Sequence, residues 1–561
     1  MGRLIGRVIA TEKKPTTIDK FCFWTEQNEK LNAFDIVRVK HFDGSDTFGV
    51  IENISHITDA QSFLTNFISS DFGDVDVEEP TFRVGMNYAE AQVSYNKGSL
   101  YTPVHNNAEV YLADKDEITF ALGLENIENP LVCGFLKMYE GTPDEITLPV
   151  HINSKFLLGP EGAHLNISGI SGLASKTSYA MFLMKAIQNQ YLRHSETNDS
   201  VAFVIFNVKG KDLMAIDSPN DFDGKTDLRE KTIKDYNAMG LTTEPFKNVQ
   251  YFIPFSEPTK AKRNTYLDSN DVDTYIEDKK LKKYKYIYED DKESIEMMFA
   301  NVDDPQQTME SIISKIIDND DPDFSSVATW TKCMEKISDK SQKGSSNKGD
   351  DISVLSWRKF KRVFRKAIQD DMFANRPESQ HAECRLGDAL KTIKPNDVYV
   401  IDIAKLPEDK QSFVFGDTMR TLYNLKLGEY DDNNDGITPP SRLVVFIDEL
   451  NKYASKDVPK SSPILHEILE VTERGRSLGI ILFAAEQFRS NIVGRVTGNC
   501  STHAYGRTNA METLTGDYSS LPATYKNILT RLEQGDYLIQ NPLFRSMLKI
   551  HFPLPIYKQF K

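Results

Sequence analysis

Four apolar runs constrain the fold of this chain more than any other feature of its sequence. They cover residues 201–206, 398–403, 443–447 and 480–485, and each is rich in Val, Ile, Leu or Phe. Runs of this kind, with almost no polar alternation, are typical of strands that are covered on both faces, as in parallel sheets. Long amphipathic patterns follow the strand-like segments. The sequence therefore predicts an α/β fold built on a parallel sheet.

The first 150 residues have a different pattern. Segments 35–40 and 47–51 alternate polar and apolar residues around an Asp-Gly-Ser-Asp turn, and similar segments follow at 91–95 and 108–112. Period-two alternation with polar turns between the segments predicts a small β-barrel or a β-sandwich.

Residues 255–395 separate the first two apolar runs and are rich in Lys, Asp, Glu and Tyr, with helical patterns at 294–302 and 307–317. We expect this stretch to be a helical insertion in the α/β core. The predicted domains are therefore a barrel at 1–150, a core formed by 151–254 and 396–545, the insertion at 255–395, and a C-terminal tail at 546–561.

Segment 164–178 carries the residues that a phosphate-binding loop requires. A strand-like run leads into a loop of small residues, then Lys176 and Thr177, and then a helical pattern at 179–188. In such loops backbone N–H groups surround the phosphates, the lysine contacts the β and γ oxygens, and the hydroxyl binds Mg²⁺. The candidate nucleotide-binding residues are Gly169, Gly172, Ala174, Ser175, Lys176, Thr177 and Ser178.

The spacing of this loop departs from the standard motif G-x-x-x-x-G-K-[ST]. That spacing places glycines at positions 170 and 175, which are Ile170 and Ser175 here, whereas the glycines are Gly169 and Gly172. The loop is therefore one residue longer and lacks the glycine before the lysine, and serine adopts positive φ less readily. An ordinary Gly/Ser turn before a buried helix is the alternative interpretation.

A second motif lies at residues 442–449, where an apolar run ends in Asp448 and Glu449. At the carboxyl end of a parallel strand, Asp448 would hold Mg²⁺ and Glu449 would polarise the attacking water. A solvated acidic turn explains many isolated matches of this kind. The joint occurrence with a phosphate-loop candidate, in the expected order, favours nucleotide hydrolysis.

A third group surrounds the run 480–485, which Arg474 and Arg476 precede and Gln487 follows. The arginines are candidates for fingers that reach the γ-phosphate of a neighbouring subunit, and Gln487 is a candidate sensor of that phosphate. Arginines that merely complement a helix dipole are the alternative. The candidate catalytic residues are thus Lys176, Glu449, Arg474, Arg476 and Gln487, and the candidate metal ligands are Thr177 and Asp448.

Charge and cysteine content exclude several classes of protein. Acidic residues outnumber basic ones by 82 to 67, which disfavours coating of nucleic acid by bulk charge but leaves room for a local basic channel. The five cysteines form no CxxC pair, so neither a zinc site nor a disulfide framework is indicated. Because no apolar run approaches the ~20 residues of a membrane-spanning helix, we expect a cytoplasmic protein without a membrane partner.

In combination, these motifs resemble the HerA family of hexameric DNA-translocating ATPases, which are relatives of the FtsK motor. The β-rich first 150 residues resemble that family's HAS barrel, and segments 148–153 and 164–169 resemble the approach to its phosphate loop. Asp448-Glu449, Arg474-Gly475-Arg476 and Gln487 match the later motor motifs in order. Segment 532–540 and the tail 551–561 resemble its last strands and C-terminal brace. The chain departs from the family after residue 206, where Asn207 and Lys211 replace acidic residues.

The resemblance implies a RecA-like P-loop ATPase core, a homo-hexamer that binds ATP and Mg²⁺ between subunits, and double-stranded DNA in the pore. It also implies an effector docked on the barrel, either a nuclease such as the NurA type or a sirtuin-type NADase. The long insertion and the altered loop suggest a divergent antiphage-defence member. A nucleotide-binding ring that activates an effector with little DNA translocation is the alternative, and the barrel and Gln487 argue against a protein-remodelling AAA+ machine.

Residues 357–368 form the most basic stretch of the chain. Their apolar residues recur at helical spacing, which leaves six basic residues largely on the opposite face. That face is either an ordinary solvated surface or an electrostatic strip that faces the pore or a partner. Lys209 and Lys211 are further candidates to face DNA, with plain solvent exposure as the alternative.

Overall fold

The structure is a computed structural model of the chain, and the residues it describes are 2–69, 71–73, 76, 84–172, 176–193, 199–257, 264–304, 306–318, 321–342, 352–376, 382–429 and 438–560. The chain divides into two compact units. The first comprises Met1–Asn153 and Asn509–Phe552, and the second comprises Ser154–Thr508 and Pro553–Lys561. Among the described residues, no helix combines the length and the apolar character needed to cross a membrane.

Six described strands of the first unit close into an antiparallel barrel, which confirms the predicted N-terminal barrel. Its order is β1-β2-β5-β4-β3-β6, and β6 pairs back onto β1. Alternate residues such as Phe21 and Phe23 are buried, as period-two alternation requires. The strands are β1 (Leu4–Ile9), β2 (Lys20–Thr25), β3 (Ile36–Lys40), β4 (Asp46–Thr58), β5 (Gly85–Asn96) and β6 (Glu109–Leu112).

The first unit also contains an antiparallel sheet to which two distant parts of the chain contribute. Its order is β19-β20-β7-β8. The early strands are β7 (Pro130–Met138) and β8 (Ile146–Asn153), and the late ones are β19 (Asp536–Gln540) and β20 (Leu548–His551). The α-helices of this unit are α1 (Phe63–Ser69), α2 (Lys115–Leu122) and α15 (Ala523–Leu529).

A parallel sheet forms the centre of the second unit, as the apolar runs predict. Its order is β13-β12-β11-β15-β10-β16-β17-β9-β18, and β14 also pairs with β12. The strands are β9 (Leu165–Ser168), β10 (Val201–Asn207), β11 (Val249–Pro254), β12 (Leu281–Ile287), β13 (Phe373–Ala374), β14 (Glu383–Arg385), β15 (Val398–Asp402), β16 (Arg442–Asp448), β17 (Ile480–Glu486) and β18 (Thr502–Tyr505).

Helices cover the sheet, and alternate residues of β10, β16 and β17 join one apolar cluster with Phe415 and Ile468. This burial explains the almost unbroken apolar composition of these strands. The helices of the second unit are α3 (Lys176–Arg193), α4 (Thr226–Ala238), α5 (Ser269–Glu277), α6 (Tyr288–Asp291), α7 (Thr308–Ile317), α8 (Trp330–Lys340), α9 (Val354–Ile368), α10 (Leu386–Lys391), α11 (Glu408–Leu427), α12 (Asn451–Ala454), α13 (Pro463–Leu478) and α14 (Gly494–Gly498).

The range 255–395, which the sequence predicts to be a helical insertion, is mixed in structure. It contributes α5 to α10, but also β12, β13 and β14, and β12 extends the parallel sheet beside β11. The basic helix α9 buries Trp357, Phe360 and Phe364 in the same apolar cluster as the sheet. Helix α9 therefore has the amphipathic form that its sequence indicates.

Two glycines that end helices offer a matched test of the packing between α13 and the sheet. Gly479 (φ +77°) ends α13, and a Cβ there would lie 2.1 Å from the carbonyl oxygen of Ser441, whereas a Cβ at Gly428 (φ +78°), after α11, would meet nothing within 4 Å. We expect Gly428→Ala to lower the free energy of unfolding by about 1 kcal/mol and Gly479→Ala by about 2 kcal/mol more. Urea denaturation of both variants measures the difference, and equal losses would contradict the packing explanation.

Candidate active site

The predicted motifs meet at the carboxyl edge of the parallel sheet. Strands β9, β16 and β17 are neighbours, so Ser168, Asp448 and Glu486 end at the same edge. The backbone N–H of Gly169 donates to the Glu486 carbonyl at 3.1 Å, which ties the start of the loop to β17. In α/β proteins, ligands bind at the carboxyl edge of the parallel sheet, where the loops that follow the strands form a crevice.

The loop glycines have backbone conformations that other residues rarely adopt. Gly169 has φ +155° and Gly172 has φ +84°, and a Cβ on Gly172 would meet nothing within 4 Å. The backbone at these positions can therefore approach a phosphate without a side chain in the way. Ala174 and Ser175, which the sequence places in the same loop, lie outside the described residues.

Lys176 begins α3, and its side chain reaches back to Gly169 at the start of the loop. Lys176 is 95% buried, and its ammonium donates a hydrogen bond of 2.8 Å to the carbonyl of Gly169. Burial lowers the pKa of Lys176, and the charge of Asp448 offsets only part of that effect. Because burial penalises this ammonium, a phosphate anion beside it would stabilise the charged form.

The Thr177 hydroxyl donates to a carboxylate oxygen (Oδ2) of Asp448 at 2.8 Å, across 271 positions of sequence. This is the geometry of a P-loop hydroxyl beside the carboxylate that completes a Mg²⁺ shell. The described residues contain no group of three His, Cys, Asp or Glu side chains that could hold a metal ion. Mg²⁺ at this position would therefore need phosphate oxygens and water as further ligands, which is its usual mode with nucleotides.

Glu449 follows β16 and both of its carboxylate oxygens are ion-paired. Oε1 lies 2.8 Å from the ammonium of Lys209, and Oε2 lies 2.6 Å from that of Lys452. Burial alone would raise the pKa of Glu449, but the two lysines outweigh it and lower that pKa. Glu449 is therefore ionised at neutral pH, as a group that polarises water must be.

Lys209 lies in the loop after β10, as its sequence position indicates, but it has carboxylate partners that the sequence did not reveal. Its ammonium contacts Glu449 and lies 3.7 Å from Asp448 Oδ2, so it belongs to the carboxylate cluster of its own chain. Lys211 forms longer ion pairs with Asp268 and Asp271. Plain solvent exposure, one of the two alternatives for these lysines, is therefore wrong for both, and their contact with DNA stays a prediction.

Asn207, which replaces an acid at the end of β10, lies beside a carboxylate from the next strand. Its side-chain amide donates to Asp402 of β15 at 2.8 Å and to the carbonyl of Gly210 at 3.0 Å. Burial raises the pKa of Asp402 to about 6, although hydrogen bonds from Thr265 and Asn207 oppose the shift. The amide therefore supports the loop that carries Lys209.

Gln487 is the predicted sensor residue that the structure brings to the loop. Its side-chain amide donates to the Ser171 hydroxyl at 2.6 Å. Ser178, the last predicted loop residue, instead accepts a hydrogen bond of 3.3 Å from Gln559 in the C-terminal tail. Residues 553–560 therefore lie beside the start of α3.

Arg474 and Arg476 lie away from the site of their own chain. They precede β17, whose seven residues separate them from the carboxyl edge by about 20 Å. Arg474 is largely exposed and pairs with Glu470 at 3.0 Å, and Arg476 donates to the carbonyl of Glu161 at 3.4 Å. Arg476 also lines a cavity of about 330 Å³ at that end of the sheet.

Beneath the loop lies a buried polar cluster that sequence analysis missed. Arg489 donates to Asn166 on β9 and lies 3.0 Å from the Nδ1 atom of His503 on β18. Glu486, at the end of β17, is fully buried, and burial raises its pKa to about 8 although the nearby charges of Arg489 and Lys176 oppose the shift. A sequence signal existed, since Glu486 ends an apolar run just as Asp448 does.

Comparisons with known proteins give only remote structural likenesses. No protein-family model and no curated protein matches the chain. The structure of VirB4 of Thermoanaerobacter pseudethanolicus is 10% identical and covers 76% of this chain and 97% of its own, with a TM-score of 0.39. The bacterial conjugative coupling protein TrwB, in its unbound monoclinic form, is 12% identical and covers 73% and 89%, with a TM-score of 0.40.

A smaller likeness is to the genome packaging NTPase B204 from Sulfolobus turreted icosahedral virus 2 in complex with ATP-gammaS. It is 18% identical and covers 32% of this chain and 74% of its own, with a TM-score of 0.22. Likenesses of this strength do not transfer a function, so the chemistry of the site must be argued from the geometry of this chain.

Glu486 gives the site a pH-dependent stability. The folded pKa of about 8 lies above the ordinary value of 4.5, so unfolding releases a proton between these two values. The free energy of unfolding should therefore fall as pH rises from 5 to 8, and Glu486→Gln should remove that fall. Relative to the wild type, we expect the free energy of unfolding of the variant to rise by a few kcal/mol across this window. Urea denaturation at several pH values measures it, and parallel curves would contradict the assignment.

Proposed function

We propose that the chain is an ATP-hydrolysing motor whose active site lies between β9, β16 and β17. The hydrogen bond between Thr177 and Asp448 carries this proposal, because it joins two motifs that sequence alone can only list separately. Lys176, buried and hydrogen-bonded to the carbonyl of Gly169, supplies the cation for the phosphates. A purely structural turn would have no need of a buried ammonium, because burial of a charge costs free energy.

Each side chain has a distinct task in this reaction. Lys176 and the loop backbone bind the β- and γ-phosphates, and Thr177 and Asp448 would hold Mg²⁺. The bound metal would neutralise charge that develops on the transferred phosphoryl group. Glu449 orients and polarises the attacking water, and Gln487, already within 2.6 Å of the loop residue Ser171, responds to the γ-phosphate.

We infer a homo-hexamer of the HerA type, with ATP bound between subunits. Arg474 supports this arrangement, because it is exposed and distant from the site of its own chain. An arginine in that position can complete a site only on a neighbouring subunit. Arg476 would assist it in the same interface.

Double-stranded DNA in the central pore is the proposed substrate of the motor. Helix α9 supports this with an exposed basic face, on which Arg362 and Arg365 have no ion-pair partner among the described residues. Unpaired cations are the groups that release counterions when phosphates bind.

An effector is the proposed partner, either a nuclease of the NurA type or a sirtuin-type NADase in antiphage defence. The connection between barrel strands β4 and β5 supports docking there, because it exposes Phe63, Leu64 and Phe72. Neighbouring exposed apolar side chains of this kind mark protein interaction sites.

A nucleotide-binding ring scaffold with slow hydrolysis is the second candidate. The ion pairs of Glu449 with Lys209 and Lys452 favour it, because a carboxylate engaged on both oxygens polarises water poorly. The two candidates share the nucleotide site and differ in how DNA affects turnover.

Substitutions at Lys176 and Glu449 separate binding from hydrolysis. We expect Lys176→Ala to lose ATP binding, because the buried cation for the phosphates is removed, and Glu449→Gln to bind ATP but hydrolyse it about a hundredfold or more slowly. Calorimetry measures binding and phosphate release measures turnover. The exposed residues Lys231 and Glu230 on α4 provide matched controls as Lys231→Ala and Glu230→Gln. Full turnover in both active-site variants would refute the assignment.

DNA dependence separates the motor from the scaffold. We expect duplex DNA to stimulate ATPase activity severalfold, and the double variant Arg362→Glu/Arg365→Glu to lose most of that stimulation while basal activity persists. The double variant Lys225→Glu/Lys231→Glu, which changes the same charge on exposed positions at α4, should retain it. Turnover that is insensitive to DNA in the wild type would favour the scaffold.

A further inference from the structure

Two lysines hold the carboxylate of Glu449 from opposite sides. Lys209 comes from the loop after β10 and contacts Oε1, whereas Lys452 lies on α12, three residues after Glu449, and contacts Oε2. Each contact is shorter than 3 Å, and the glutamate side chain is mostly buried. The position of this carboxylate is therefore set by both ammonium groups.

The backbone of Glu449 is in the left-handed region, with φ +67°. A glutamate in this conformation persists only where its surroundings hold it there. Its N–H donates to Asp448 Oδ1 at 3.0 Å and its carbonyl accepts from the Lys452 N–H at 3.0 Å, whereas its side chain is held by the two ion pairs. Loss of one ion pair would therefore let Glu449 move.

The two lysines differ in their relation to the candidate metal site. The Lys209 ammonium also lies 3.7 Å from Asp448 Oδ2, the same atom that accepts the hydrogen bond from Thr177. Lys452 forms its ion pair with Glu449 alone among the described residues. A cation bound by Asp448 and Thr177 would thus repel Lys209 at short range, and Lys452 much less.

The Lys209 side chain has room to move away from the carboxylates. It is 39% exposed, and Gly210 follows it with φ +47°. An ammonium displaced from the carboxylates can therefore reach solvent without disturbing the apolar core.

We propose that Lys209 is a positioning residue that acts as a cation-sensitive latch on Glu449, an inference that rests on the proposed function. Without metal, the ammonium bridges Asp448 and Glu449 and holds the glutamate in its strained conformation. With Mg²⁺ held by Asp448 and Thr177, the Lys209 ammonium would be repelled from Asp448 and would leave Glu449 free to turn toward the water. The carboxylate thus becomes available for hydrolysis only when metal and nucleotide are both in place.

Competition between Lys209 and Mg²⁺ can be measured without turnover. The experiment is calorimetric titration of ADP into the full-length protein at a series of Mg²⁺ concentrations, for the wild type, Lys209→Met and Lys452→Met. We expect Lys209→Met to reach half-maximal ADP affinity at about three- to tenfold less Mg²⁺, because a competing cation is gone. Lys452→Met also removes one ammonium that is paired with the Glu449 carboxylate, and it should leave the Mg²⁺ requirement unchanged.

A second variant tests whether charge rather than shape matters. Lys209→Arg keeps the cation and should keep the wild-type Mg²⁺ requirement, provided that its thermal unfolding resembles that of the wild type. An unchanged or increased Mg²⁺ requirement in Lys209→Met, or an equal decrease in Lys452→Met, would overturn the latch while the nucleotide site stands. Failure of the wild type to bind ADP at any Mg²⁺ concentration would overturn the proposed function and the latch together.

Discussion

The hydrogen bond between Thr177 and Asp448 is the constraint on which the rest of the site depends. It requires β9 and β16 to end at one edge, with β17 between them, and it requires α3 to begin immediately at the loop. The parallel sheet with its buried strands places these ends together across 271 residues of sequence. The apolar runs and the phosphate-loop residues therefore depend on each other. The packed strands determine which residues meet at the carboxyl edge of the sheet, and those residues determine the chemistry of the site.

The charged side chains at this edge differ in their burial and in their partners. Lys176 is buried with a carbonyl partner, Glu449 is held between two lysines, and Glu486 is buried deeply enough to raise its pKa to about 8. The first arrangement favours an incoming anion, and the second restrains a base. The site therefore combines a cation that favours binding of a charged ligand with two lysines that restrain Glu449, the group that would act on that ligand.

Sequence patterns predicted the strands better than the contacts between residues that are distant in sequence. The apolar runs correspond within a residue or two to β10, β15, β16 and β17, because uninterrupted burial leaves a strong signal. Strand β12 was missed since its lysines look solvent-exposed, yet Lys285 is fully buried against Glu383 at 2.6 Å. The contacts of Lys209 were missed for a related reason: its partners Asp448 and Glu449 lie at the end of β16 and just after it, and pairing between distant segments leaves no mark on local sequence.

The two units are interleaved along the chain, and this has a consequence for synthesis. The sheet that contains β7 and β8 receives its other strands, β19 and β20, only from residues 536–551. A ribosome finishes the barrel strands and β8 several hundred residues before it releases those partners. The edge of β7 stays without its neighbour while more than 350 further residues emerge, so a chaperone that shields exposed strand edges would act on this nascent chain at that stage.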